Sequence, residues 1–71
     1  MTGKEAEAAF DAGAAIIFRF GRTVLKYPRI NALIRRKRDG ANYYQAELLD
    51  EHTHSAIITN VDKIEVADNG N

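Results

Sequence analysis

The stretch "INALIRRKRDGANYYQAELL", residues 30–49, reads as two β-strands folded back on one another. Ile30–Arg38 and Tyr43–Leu49 carry the β-branched, aromatic and alternating apolar residues of half-buried strands. Asp39-Gly40 between them is a hairpin signal, because both residues tolerate the left-handed backbone of tight hairpin turns. The reading assigns Ile30, Ala32 and Ile34 to the inward face of the first strand, and Tyr44, Ala46 and Leu48 to that of the second. Residues opposite one another in an antiparallel pair share a face. Two registers satisfy that rule, one with Ile34 opposite Ala46 and the other with Ile34 opposite Leu48.

Working outward, "AIIFRF" and "TVLKY" are two further strands joined at Gly21-Arg22, with Ile16, Phe18 and Phe20 on one face. Pro28 follows, and its missing N–H disfavours a central strand position. Beyond the hairpin, "DEHTHS" is a turn, "AIIT" a short strand, "NVDK" a one-turn link and "IEVA" a closing strand. The N-terminal "MTGKEAEAAFDAG" carries helix punctuation: Thr2 and Glu5 fit a capping box, and Gly13 suits the left-handed position after a helix end. About ten residues make a helix too short to persist alone, so Phe10, with Ala6 and Ala9, is expected to dock on the body. The sequence predicts one domain: a helix over 2–13, a β-barrel over 14–67 and a frayed tail over 68–71.

The strand order over residues 14–67, the long central hairpin and the "NVDK" link before "IEV" resemble a Src-homology-3-like small barrel. The resemblance implies a mainly β (α+β) fold, with the short helix packed on five or six antiparallel strands. It carries over no peptide specificity, because the proline-binding aromatic pattern of true Src-homology-3 domains is not recognisable here.

A chain of 71 residues buries only roughly 60% of the surface its unfolded form exposes, so stability draws on every core contact or on a partner. Cysteine is absent, which excludes disulfides, thiolate metal sites and a cysteine nucleophile and suits a cytoplasmic setting. No apolar run approaches a membrane span, and "AAIIF" is too short for a signal-peptide core. Ten cations and ten acids give zero formal charge, yet they are segregated: residues 19–38 hold eight cations and no acid.

Four of those cations are consecutive: Arg35, Arg36, Lys37 and Arg38. In either register Glu47 is their one strand acid, opposite or diagonal to Arg35, while Asp50 and Glu51 fall near Arg29. The tip is therefore expected to stay basic and to project past the core with both faces wet, since a buried unpaired cation is very costly. Tyr43 and Tyr44 flank it. Arginine beside tyrosine suits protein interfaces and, equally, phosphate contact with base stacking. The same run also reads as a solvated strand end that discourages aggregation.

Asp50, His52 and His54 form the one cluster of ligand types, a two-histidine, one-carboxylate set. A turn is expected there, which breaks the alternation, so no metal and no cofactor are expected. Ser55 beside His54 makes no triad, because strand neighbours diverge. The reading is a non-catalytic interaction protein whose basic residues Arg35, Arg36, Lys37 and Arg38, with Tyr43, Tyr44, Arg22, Lys26 and Arg29, meet an acidic protein surface. A nucleic-acid-handling protein fits such a partner. The alternatives are direct nucleic-acid binding, a phage- or mobile-element-encoded inhibitor of anti-CRISPR type occupying a nucleic-acid channel, and a homo-oligomer built through exposed strand edges.

Overall fold

The computed structural model describes residues 1–67; the expected frayed tail lies outside them. The fold is mainly β with one short helix. In chain order it comprises α1 (Gly3–Ala12), β1 (Ile16–Phe20), β2 (Thr23–Tyr27), β3 (Ile30–Arg38), β4 (Ala41–Asp50), β5 (Ser55–Asn60), a 3-10 turn (Val61–Lys63) and β6 (Ile64–Val66). The strands form two three-stranded antiparallel sheets, ordered β2-β1-β6 and β3-β4-β5. Among the described residues no hydrogen-bonded ring closes them into one barrel. Pro28 and Arg29 carry the chain from one sheet into the other, so the proline falls where no ladder needs its N–H.

The β1–β2 and β3–β4 turns each follow from a glycine. Asp39 and Gly40 have φ of 51° and 81°, the left-handed pair of a two-residue type I′ turn, and they place Arg38 opposite Ala41. Gly21, at φ 60°, opens the β1–β2 turn and sets Phe20 opposite Thr23.

The register of β3 on β4 differs from both expected ones. The turn forces Ile34 opposite Gln45 and Leu33 opposite Ala46. Uninterrupted alternation would then expose Ile30. A β-bulge between Ile30 and Ala32 resolves the conflict by inserting Asn31 as an extra residue, so that Ile30 lies opposite Leu48. Ile30 and Leu33, not Ala32 and Ile34, therefore share the face of Ala46 and Leu48. Asn31 Nδ2 donates to Glu47 Oε1 at 2.6 Å across the bulge.

The helix is capped as the sequence predicts. Glu5 N–H donates to Thr2 Oγ1 at 3.1 Å, and Thr2 N–H donates to Glu5 Oε1 at 2.8 Å. Gly13 is left-handed, and the N–H groups of Gly13 and Ala14 return to the carbonyls of Phe10 and Ala9. Docking differs from expectation in one respect. Ala6 and Ala9 are buried, whereas Phe10 is 38% exposed. Helix α1 lies against β3 and β4, and its approach is close because the contacting residues are small. A methyl group at Gly3 would collide with the Tyr44 ring. The bulkier Phe10 is left at the margin of that contact. The core gathers Ile16, Phe18, Tyr27 and Ile64 from one sheet with Ile30, Ala46 and Leu48 from the other, under Ala6, Ala9 and Val61.

Ile16 and Leu48 are the largest fully buried side chains. Leu48→Ala is expected to lower stability by about 2–5 kcal/mol, a loss that in so small a domain depletes the folded state under ordinary conditions. Gly3→Ala, a surface change by sequence, is expected to lose about 1–3 kcal/mol through its collision with Tyr44. Urea unfolding followed by far-UV circular dichroism measures both.

Candidate binding site on the basic hairpin

Every residue from Arg35 to Asn42 is exposed. Both faces of the hairpin end are thus wet, and the strands run past the core as a two-stranded arm. The turn-locked register sorts the arm's side chains into two sets. Arg35 pairs with Tyr44 and Lys37 with Asn42, on the face that continues Leu33 and Ala46. Arg36 pairs with Tyr43 and Arg38 with Ala41, on the outer face that continues Ile34 and Gln45.

The two faces differ in how firmly they hold their cations. On the outer face Arg36 Nε donates to Gln45 Oε1 at 2.6 Å, and Gln45 Nε2 donates onward to Asn60 Oδ1 at 2.9 Å. That chain crosses β3, β4 and β5 and fixes the Arg36 guanidinium by its inner nitrogen, leaving its terminal nitrogens to meet a planar anion. The Arg38 guanidinium carbon lies 5.6 Å from the centroid of the Tyr43 ring, within cation–π range. Arg35 and Lys37 have no such side-chain hydrogen bond or ring contact among the described residues. Tyr44 packs on the core and against Gly3, so it supports the helix rather than flanking the arm.

No acid pairs with the run among the described residues. Among the described residues the ion pairs are Arg19 with Glu65 and Arg29 with Glu51 at 3.7 Å. The expected neighbour of Arg35, Glu47, lies instead opposite Ala32 and accepts from Asn31, because the odd register carries it to the other face. The expected partnership of Arg29 with the 50–51 acids is present. Exposed pairs of this kind contribute only about 0.2–1 kcal/mol each.

Three of the sequence-predicted cations are not gathered at the arm. Arg22 sits in the β1–β2 turn, Lys26 pairs with Ile17 on the other sheet, and Arg29 lies in the inter-sheet link. Nine residues separate Arg29 from Arg38, roughly 30 Å of extended chain. Conversely, sequence reasoning missed Gln45 and Asn60. Gln45 becomes visible once Asp39-Gly40 is taken as a two-residue turn, since that places it diagonal to Arg36. Asn60 depends on the β4–β5 register, for which no comparable local signal exists. An open concavity of about 430 Å³ runs beside this face, lined by Arg38, Asn42, Tyr43, Gln45 and Asn60.

The 50–54 segment does not assemble into a metal site. Asp50 Oδ1 accepts from the backbone N–H of His52 at 2.9 Å and of Thr53 at 3.3 Å, so its carboxylate shapes the turn. Thr53 and Ser55 share a hydroxyl hydrogen bond of 2.6 Å, and His54 takes a left-handed φ of 58°. Among the described residues no three histidine, cysteine or acidic groups converge, and no helix is long and apolar enough to cross a membrane. Comparison with known protein families, curated proteins and solved structures finds no match, so the functional reading rests on this geometry.

The two backbone N–H donors hold the Asp50 carboxyl below the ordinary aspartate range. Its folded value lies below its unfolded one, so the contribution to stability is present above the unfolded value and disappears as pH falls through the folded one. Carbon-13 NMR titration is expected to show Asp50 ionising below the ordinary aspartate range, and Asp50→Asn to remove that part of the acid dependence.

Proposed function

We propose that this chain is a non-catalytic interaction protein that grips an acidic surface of a protein partner with the basic end of its β3–β4 hairpin. One observation carries the reading. The outer face holds two guanidiniums, Arg36 and Arg38, that are oriented by neighbours and answered by no acid among the described residues. An Arg fork fixed before contact loses less entropy on meeting a carboxylate than a free one. The surrounding surface favours a protein over a polyphosphate. Formal charge is zero and acids populate the second half of the chain, a balance that suits one oriented contact better than a uniformly anionic backbone.

The architecture belongs to the same proposal. Support for a Src-homology-3-like barrel comes from the pairing of β6 with β1, the 3-10 turn just before β6, and the sheet change at Pro28. Direct binding of single-stranded nucleic acid is a second reading, favoured by the Tyr43 ring beside Arg38.

Pull-down from a lysate of the source cells, comparing wild type with the fourfold variant Arg35→Ser, Arg36→Ser, Lys37→Ser and Arg38→Ser, tests the reading. Captured protein is expected to fall at least about tenfold, equivalent to roughly 1.4 kcal/mol, while Arg22→Ser with Lys26→Ser retains capture. Equal capture by the fourfold variant rejects the reading. Affinity for an oligonucleotide that falls steeply with salt favours nucleic acid instead.

A further inference from the structure

The hydrogen-bond chain across the outer face has a fixed direction. A guanidinium donates and cannot accept, so Arg36 Nε obliges Gln45 to turn Oε1 toward it, at 2.6 Å. The planar amide then aims Nε2 at the next strand, where Asn60 meets it with Oδ1 at 2.9 Å. Nδ2 of Asn60 is thereby turned away from Gln45, and among the described residues it has no acceptor. Asn60 stands at the N-cap position of the 3-10 turn, where asparagine ordinarily accepts from the turn's backbone, yet its side chain makes no capping bond. It serves the sheet instead.

Everything this row turns outward is a donor: the terminal nitrogens of Arg36, the second N–H of Gln45 Nε2 and both N–H groups of Asn60 Nδ2. Both amide oxygens are engaged within the chain. Gln45 and Asn60 line the 430 Å³ concavity together with Arg38, Asn42 and Tyr43, and no acid lines it. Adjacent strands lie about 4.8 Å apart, so the donors span about 10 Å from β3 to β5. Charge differs along that span. At the β5 end Asn60 shares one hollow with Asp62 and another with Lys63, a balanced pair. At the β3 end Arg36 and Arg38 have no acidic partner among the described residues.

We propose that Asn60 is a contact residue of the arm's binding site, and that the protein partner brings two acceptors to the row. One is a carboxylate, held by Arg36 and Arg38. The other, about 10 Å away, is an uncharged carbonyl that takes the Nδ2 hydrogens of Asn60; a backbone carbonyl about three residues along an extended segment spans that distance. The proposal rests on the reading of the arm as the surface that grips an acidic protein, and it names what lies beside the acid. A polyphosphate fits less well, since it would set a second negative charge beside Asp62.

The test titrates isotope-labelled protein by NMR, at low ionic strength, with a short capped peptide carrying two glutamates in a glycine–serine background. The expected result is a joint, saturable shift of the Arg36 Nε–H and Asn60 side-chain amide signals at millimolar peptide. Replacing the glutamates by glutamine is expected to weaken binding at least about fivefold, as is Arg36→Gln with Arg38→Gln. Asn60→Asp isolates the donor, because aspartate still accepts from Gln45 but offers no hydrogen outward. Combined with Asp62→Asn it leaves the net charge unchanged. This double variant is expected to bind the peptide at least about fivefold more weakly, with the Arg36 Nε–H signal of the free protein in its wild-type place. All four positions are exposed, and an unchanged backbone amide spectrum elsewhere verifies their fold.

Wild-type affinity in the Asn60 and Asp62 double variant overturns the assignment of Asn60 and leaves the reading of the arm standing. Displacement of the Arg36 Nε–H signal in that variant before peptide is added does the same, since Asn60 would then only position the arginine. Insensitivity to the arginine pair overturns both. Absence of a saturable shift overturns the two-acceptor site, as does an oligothymidylate that gives the same joint shift at lower concentration than the peptide.

Discussion

The structure depends on one constraint, the two-residue turn at Asp39-Gly40. With both residues at positive φ, the turn admits a single pairing across it, Arg38 with Ala41, and that pairing propagates down the hairpin. Taken alone it sets the apolar residues of β3 at odds with those of β4. The bulge at Asn31 restores agreement nearer the core, where Ile30 must meet Leu48. The hairpin thus has two halves with opposite parity: a half nearer the core that serves packing and an exposed half that carries the cations. The same register that turns Leu33 onto the core puts Arg36 diagonal to Gln45 and Arg38 diagonal to Tyr43, so core packing and cation placement have one cause.

Much of this is written locally in the sequence. Thr2, Glu5 and Gly13 specify the helix ends through backbone hydrogen bonds confined to one or two turns. Pro28 marks the passage between sheets because it has no donor to give, and Gly21 and Gly40 mark the turns because their φ values are positive. Signals of this kind depend on a few adjacent residues and survive whatever the rest of the chain does. The exposed, basic character of the hairpin end is legible for a similar reason, since four cations on alternating faces can only be solvated.

What was not legible depends on distant parts of the chain. The bulge at Asn31 satisfies two demands at once, the turn's register and the burial of Ile30, and neither residue announces it alone. Phe10 reads as the natural docking residue of the helix, yet Ala6, Ala9 and Gly3 bring the backbone so near β3 and β4 that the large ring is left half outside. Asn60 joins Arg36 and Gln45 only through the β4–β5 pairing, fifteen residues along the chain from Gln45. These are tertiary facts, decided by packing after the local elements exist. They are also the ones that separate an arranged set of cations from a merely charged strand end.

The most direct measurement is a nuclear Overhauser spectrum of the hairpin in solution. The account predicts cross-strand contacts of Leu33 with Ala46 and of Arg36 with Tyr43, with the ladder interrupted at Asn31 and resumed at Ile30 with Leu48. Contacts of Ile34 with Ala46 and Arg36 with Tyr44, along an unbroken ladder, would contradict it. They would place Arg36 out of step with Gln45 and Arg38 out of step with Tyr43, and the arranged outer face would not exist.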